Sequence, residues 1–178
     1  MSLSRTAIAT TAVLSLVGLA GGSAVASAGG SQTAAGAAEA CQPGALRAAT
    51  SDIDEHQVGM NHEGTYLKVT NVGDSACTFS GYPGLALEGA GHTAITTETT
   101  RGDTYFVQDP GEHEVTLQAG DSAYADLAWT HTGEDAVDAR YLQISPTGSN
   151  SHSTVPFEKV VDGGALTVTA WSDTLPAS

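Results

Sequence analysis

The chain has 178 residues with 6 Lys and Arg against 20 Asp and Glu, a formal net charge of −14 at pH 7 and a sequence pI of about 4.4. Contact with phosphate would begin with repulsion rather than counterion release, which makes nucleic acid and bare anionic lipid poor candidates as partners, and no nucleic-acid partner is expected. The ordinary use of such a charge is solubility outside the cell.

The first residues read as an export signal. Arg5 supplies a positive start, Ala7 to Ala20 is apolar, and "AVASAGG" offers small-residue cleavage sites, the expected one after Ala28. A membrane span needs about 20 apolar residues with anchoring flanks, and here the stretch dissolves into glycine and serine. Residues 1–28 are therefore read as a signal peptide, 29–40 as a flexible Ala/Gly/Ser-rich linker, 41–172 as one β-sandwich domain and 173–178 as a frayed tail. A lipid anchor on Cys41 is not expected, because "AEA" before it lacks a large aliphatic residue. No membrane span remains after cleavage, and the mature chain is expected outside the cell, with residence at the envelope left open.

Cys41 and Cys77 are the two cysteines. In an exported chain an isolated pair is most simply a disulfide, and the chain-entropy account gives a loop of this length roughly 3 to 4 kcal/mol.

From Cys41 onward, short apolar alternations are separated by glycine, proline and aspartate, and no helical period lasts three turns. "TYLKVTNVG" sets Leu67 and Val69 against Tyr66, Lys68 and Thr70; "LALEG" repeats the pattern with Leu85 and Leu87, and "HEVTLQAG" with Val115 and Leu117. "TETTRGD" and "QDPGEHE" read as solvated, edge-protecting segments. In "SAYADLAWTHT", Ala123, Ala125, Leu127 and Trp129 share the face expected to be buried, with Tyr124, Asp126, Ala128 and Thr130 opposite. "EDAVDAR" is expected to hold a short helical turn, after which "RYLQISP" and "GALTVTAW" contribute Leu142, Ile144, Leu166 and Val168. Seven or more strands at this spacing predict an all-β, two-sheet, immunoglobulin-like β-sandwich with one disulfide.

The word "GDSA" occurs at Gly73–Ala76 and again at Gly120–Ala123. A trypsin-like nucleophile word carries glycine after the serine, where backbone amides meet the oxyanion, and alanine stands there in both copies. The esterases that use such a word need an Asp-x-x-His, and no aspartate here has a histidine three residues later. Ser75 and Ser122 are therefore read as turn residues, with no catalytic residue assigned. Six histidines, His56, His62, His92, His113, His131 and His152, and the carboxylates of "SDIDEH" invite a metal. They lack helical His pairing and the glycine turn of a calcium loop, so no metal or cofactor is expected. Tyr66, Tyr124, Tyr141 and Trp171 fall opposite the expected core and form a candidate aromatic binding surface.

The words "CQPGAL", "YLKVTNVGDSACTFSGYPGLAL", "GDSAYADLAW", "YLQISPTG" and "GGALTV" come in an order that resembles a secreted actinobacterial family described as domain of unknown function 4232. The most specific part is "SACTFSGYPG", a cysteine entering a turn built on Gly81, Tyr82, Pro83 and Gly84. The resemblance implies export, residence in or near the envelope, a β-sandwich, the Cys41–Cys77 disulfide and no established reaction. It also implies a second cysteine pair, where this chain has Asp162 and the region of Val137 and Asp138. The expected function is a non-enzymatic module binding an envelope or extracellular ligand or protein. The alternatives are a protease inhibitor presenting the Gly81–Gly84 loop and, behind it, a serine hydrolase.

Overall fold

The computed structural model describes residues 38–51, 57–146 and 151–176. The signal peptide, linker residues 29–37, and Asp52, Asp54, Glu55 and His56 of "SDIDEH" lie outside the described residues. The described chain is all-β with no α-helix, and no helix among these residues is long and apolar enough to cross a membrane.

Thirteen strands follow one another: β1 (Glu39–Ala40), β2 (Leu46–Thr50), β3 (Gln57–Gly59), β4 (His62–Asn71), β5 (Cys77–Ser80), β6 (Gly84–Glu88), β7 (Ala94–Ile95), β8 (Glu98–Arg101), β9 (Glu114–Leu117), β10 (Ser122–Thr130), β11 (Ala136–Ser145), β12 (Ser153–Asp162) and β13 (Ala165–Val168). They form three hydrogen-bonded sheets, the smaller two sharing one layer of the sandwich. A six-stranded sheet runs β2-β4-β10-β13-β8, with β3 also on β4; a four-stranded sheet runs β12-β11-β6-β7; and a three-stranded sheet runs β1-β5-β9. Both smaller sheets face the large one in a sandwich and contribute to a single core. Leu67, Val69, Ala123, Ala125, Leu127 and Trp129 enter it from one side, Phe79, Val115, Leu117, Leu142, Ile144 and Phe157 from the other. The period-2 alternation thus places these side chains on the inner face.

The segment expected to turn helically is strand. "EDAVDAR" feeds β11, where Val137 and Ala139 pack inward, and the pairing with β12 then slips between Ala139 and Tyr141. Between these pairs β11 has one residue, Arg140, and β12 has two, Phe157 and Glu158, so the extra residue of this β-bulge belongs to β12, and the inward face of β11 resumes at Leu142. Where the resemblance implies a second disulfide, strand pairing stands instead, with Ala136 opposite Asp162 and Val137 opposite Val161.

Cys41 and Cys77 form the disulfide, 36 positions apart. Cys41 N–H also donates to the Thr78 carbonyl at 2.9 Å, so the bridge and a short parallel ladder together fasten the start of the domain to β5. The two "GDSA" words lie side by side, held by the buried Asn71. Its backbone N–H donates to the Asp121 carbonyl (2.9 Å) and its carbonyl accepts from Gly120 N–H (2.8 Å). Its side chain accepts from Gly73 N–H (3.0 Å) and donates to the Ser75 carbonyl (2.8 Å). Gly120 has φ +87°, which glycine adopts without a Cβ clash, while the Ser122 hydroxyl meets that of Thr70 at 2.8 Å.

Candidate functional site

Two outer faces of the sandwich carry clusters of polar and aromatic side chains. On the six-stranded sheet, β4, β10 and β13 present His62, Gly64 and Tyr66, then Thr130, Ala128 and Asp126, then Ala165 and Thr167. A strap, residues 102–109 between β8 and β9, crosses this face. Its anchor is Thr104, whose hydroxyl donates to Asp126 Oδ2 at 2.5 Å and accepts from Val107 N–H at 3.0 Å. Phe106 lies on Gly64, where a Cβ would meet its ring at 2.8 Å, so glycine is what lets the strap close on the sheet. At the far end Asp109 accepts from Ala170 N–H (2.8 Å) and from the Tyr82 hydroxyl (2.5 Å).

Asp126 is fully buried beneath the strap. Burial disfavours its charge and raises the carboxyl above its ordinary value, partly offset by the Thr104 hydroxyl.

Beside the anchor, the strap leaves a cleft of about 410 Å³. Its floor is made by Ala128, Thr130, Ala165 and Thr167, and its wall by His62, Asp103, Thr104 and Tyr105. Tyr105 stacks on His62 with ring centroids 4.1 Å apart and planes 6° from parallel, and remains 51% exposed. Asp103 Oδ1 accepts from Asp109 N–H at 2.8 Å. Next to the cleft, the β3–β4 turn holds Met60 at φ +54° and 90% exposed, with Val58 exposed behind it. A methionine in that conformation, where asparagine or glycine is usual, leaves an apolar tip in solvent.

The second cluster sits on the four-stranded sheet. Glu88 is buried, yet His92 Nδ1 lies 2.6 Å from its Oε2 and the Gln143 amide donates to its other oxygen. The His92 hydrogen bond is the main cause holding the Glu88 carboxyl below its ordinary value. His92 takes φ +60° in the β6–β7 connection, and its ring stacks on Tyr141 at 4.1 Å. Arg140, beside the bulge, lines a groove here with Tyr141, Pro156 and Glu158.

The expected aromatic surface divides. Tyr141 and Tyr124 are partly exposed, but on different sheets. Tyr66 and Trp171 are 2% and 1% exposed, which corrects their placement on an open surface. Tyr66 points outward as expected but is roofed by the chain's end, donating its hydroxyl to the Pro176 carbonyl at 3.0 Å. The tail beyond 172 is therefore drawn onto the sheet at least to Pro176. Trp171 turns into the core against Phe79 and donates Nε1–H to the Pro146 carbonyl at 2.6 Å.

The Gly81–Gly84 segment is a packed corner between β5 and β6, not a projecting loop. Gly81 and Pro83 are buried, and Tyr82 is tied to Asp109 with Arg101 5.6 Å from its ring centre. The Asp109 bond helps push the Tyr82 hydroxyl up to about 12. A protease-inhibiting loop must offer its backbone to a cleft, and this corner uses its own to hold Trp171 N–H, 3.0 Å from the Gly81 carbonyl.

Sequence reasoning missed Tyr105, Asp103, Thr130 and Thr167. The signal was there: "TYFV" is an aromatic pair set between two segments read as solvated. No group of three or more His, Cys, Asp or Glu side chains converges as metal ligands would among the described residues. No curated protein and no solved structure matches this chain. The family model described as "Domain of unknown function (DUF4232)" matches residues 41–172, from the first disulfide cysteine to the bridge of Ser172 with Tyr124, and the chain belongs to that family.

Proposed function

We propose that this chain is a non-enzymatic, exported binding module whose ligand site is the cleft beneath Tyr105. The observation that carries the reading is the stacked His62–Tyr105 pair: a large aromatic ring, 51% exposed and braced from behind, beside a cleft lined by hydroxyls and one carboxylate. Aromatic rings cost little conformational entropy on binding and concentrate contact area, so bracing one in solvent suits recognition. The disulfide and the export-type leader suit an oxidising compartment.

The test is thermal unfolding of the protein against peptidoglycan fragments, polysaccharides, peptides and small metabolites. A ligand at a hundred times its Kd adds about 2.7 kcal/mol, several degrees for a domain of this size. A saturable shift that disappears in Tyr105→Ala is the expected result. A shift that survives that substitution places the ligand elsewhere and ends the reading.

A further inference from the structure

The chemistry of the cleft goes further than its location and, resting on the reading above, names a ligand class. We infer that it takes a neutral or amino-bearing saccharide, one sugar ring lying against Tyr105.

The groups that line the cleft exclude the other common ligands in turn. No lysine or arginine contributes to it, and the chain carries a formal charge of −14, so phosphorylated or uronic ligands meet a repulsive field with no fixed cation to offset it. The floor belongs to β10 and β13, and the backbone of β10 is already paired on both sides, with β4 and with β13. A peptide therefore finds no free strand edge to extend here, and side chains alone read the ligand. Thr130 and Thr167 put hydroxyls on the floor between the small Ala128 and Ala165, which is too polar and too open for a lipid chain.

What these side chains do offer is a flat aromatic ring next to groups that both donate and accept. Threonine hydroxyls do both, and a carboxylate accepts from O–H or N–H groups. One oxygen of Asp103 is engaged by Asp109 N–H, while Asp103 also lines the cleft. His62 covers one face of the Tyr105 ring and Phe106 meets it edge-on at 5.0 Å, while the residue as a whole stays 51% exposed and offers apolar surface to a sugar's C–H groups. The volume, about 410 Å³, lies within the range of about 300–1,000 Å³ for small-ligand sites. An amino sugar gains additionally from the protein's field, which draws cations inward.

The experiment titrates the full chain with chitotetraose, a glucosamine tetramer, cellotetraose and oligogalacturonate by calorimetry, with NMR shifts of the cleft residues recorded in parallel. At least one of the first three is expected to bind, with the threonine and Tyr105 signals moving, and Tyr105→Ala to weaken binding at least tenfold. Tyr105→Phe is expected to retain most of the affinity, and Tyr141→Ala all of it. Thr167→Val gives a second, independent loss should Tyr105→Ala fold poorly. Binding of oligogalacturonate alone, or affinity indifferent to both cleft variants, overturns the inference. If none of the four sugars binds but a peptide or metabolite shifts the same signals, the saccharide class fails and the cleft stands as a site; if nothing perturbs those signals, both fail.

Discussion

The two outer faces each contain a carboxylate that the fold has taken out of water, and they treat it in opposite ways. Asp126 lies under the strap with the Thr104 hydroxyl for a partner, and burial pushes its carboxyl up. Glu88 meets His92 and the Gln143 amide, and its carboxyl is pulled down. Burial penalises charge in both cases; the partner decides the sign. A hydroxyl does not compensate a buried negative charge as a histidine able to carry a proton does. The same contrast runs through the aromatics, since the large sheet's outer face is roofed by strap and tail while the small sheet's is open.

The largest expected effect separates two residues that sequence alternation grouped together. Trp171→Ala should cost about 3–5 kcal/mol, as a large aromatic removed from a closed core does. Tyr141→Ala, which uncovers only the partly exposed His92 stack, should cost about 1 kcal/mol or less. Urea midpoints of the two variants decide this. Equal losses would mean that the small sheet's face is as closed as the core, and the contrast would collapse.

Next comes the strap itself. Asp126→Ala leaves the Thr104 hydroxyl and Asp126's own buried surroundings without their acceptor, for which about 1–3 kcal/mol is the usual cost. Asp126→Asn keeps an acceptor and removes the group that burial disfavours, so it should cost distinctly less. Hydrogen exchange of the Phe106 and Val107 amides, both bonded to Thr104 Oγ1, reports the strap directly. Faster exchange in the alanine variant only is the expected pattern. Unchanged exchange in both would mean that Phe106 on Gly64 and the Asp109 contacts hold the strap without Asp126.

How far the sequence went follows from what alternation can encode. It assigns a side chain to one face or the other, and Leu67, Val69, Leu127, Leu142 and Val168 are all buried as their positions predict. What covers the other face is not encoded locally. Asp126, Ala128 and Tyr66 point outward as expected but are buried by segments from elsewhere, the strap and the tail. The aromatic pair of "TYFV" marked Tyr105, but the rest of its site could not be read locally: the floor comes from β10 and β13, the wall from β4 and the strap, and no short word contains them. The disulfide was legible because two cysteines admit one pairing. The corner at Gly81–Gly84 was recognisable as a word, yet its packing against Asp109 and Trp171 depends on residues distant in sequence.

The smallest effect, and the sharpest test of the two carboxylates, is the dependence of stability on pH. Asp126 has a folded-state value above its unfolded one, near 3.9. Its contribution is therefore fully present below that unfolded value and lost as pH rises through the folded one. Glu88 has a folded-state value below its unfolded one, near 4.3, so its contribution is present above the unfolded value and lost as pH falls through the folded one. The two windows lie on opposite sides of about pH 4, so the native protein should gain stability as pH rises through the Glu88 window and lose it as pH rises further through the Asp126 window. Urea midpoints measured between pH 2.5 and 7 for the native chain, Asp126→Asn and Glu88→Gln separate them. Asp126→Asn should gain stability relative to the native chain as pH rises, because the variant has no charge to bury. Glu88→Gln should lose relative stability in the lower window, as pH rises towards the unfolded value of Glu88, because it has no carboxylate to offer His92. Profiles displaced in the same direction would show that the partner does not set the sign, and that burial alone governs both faces.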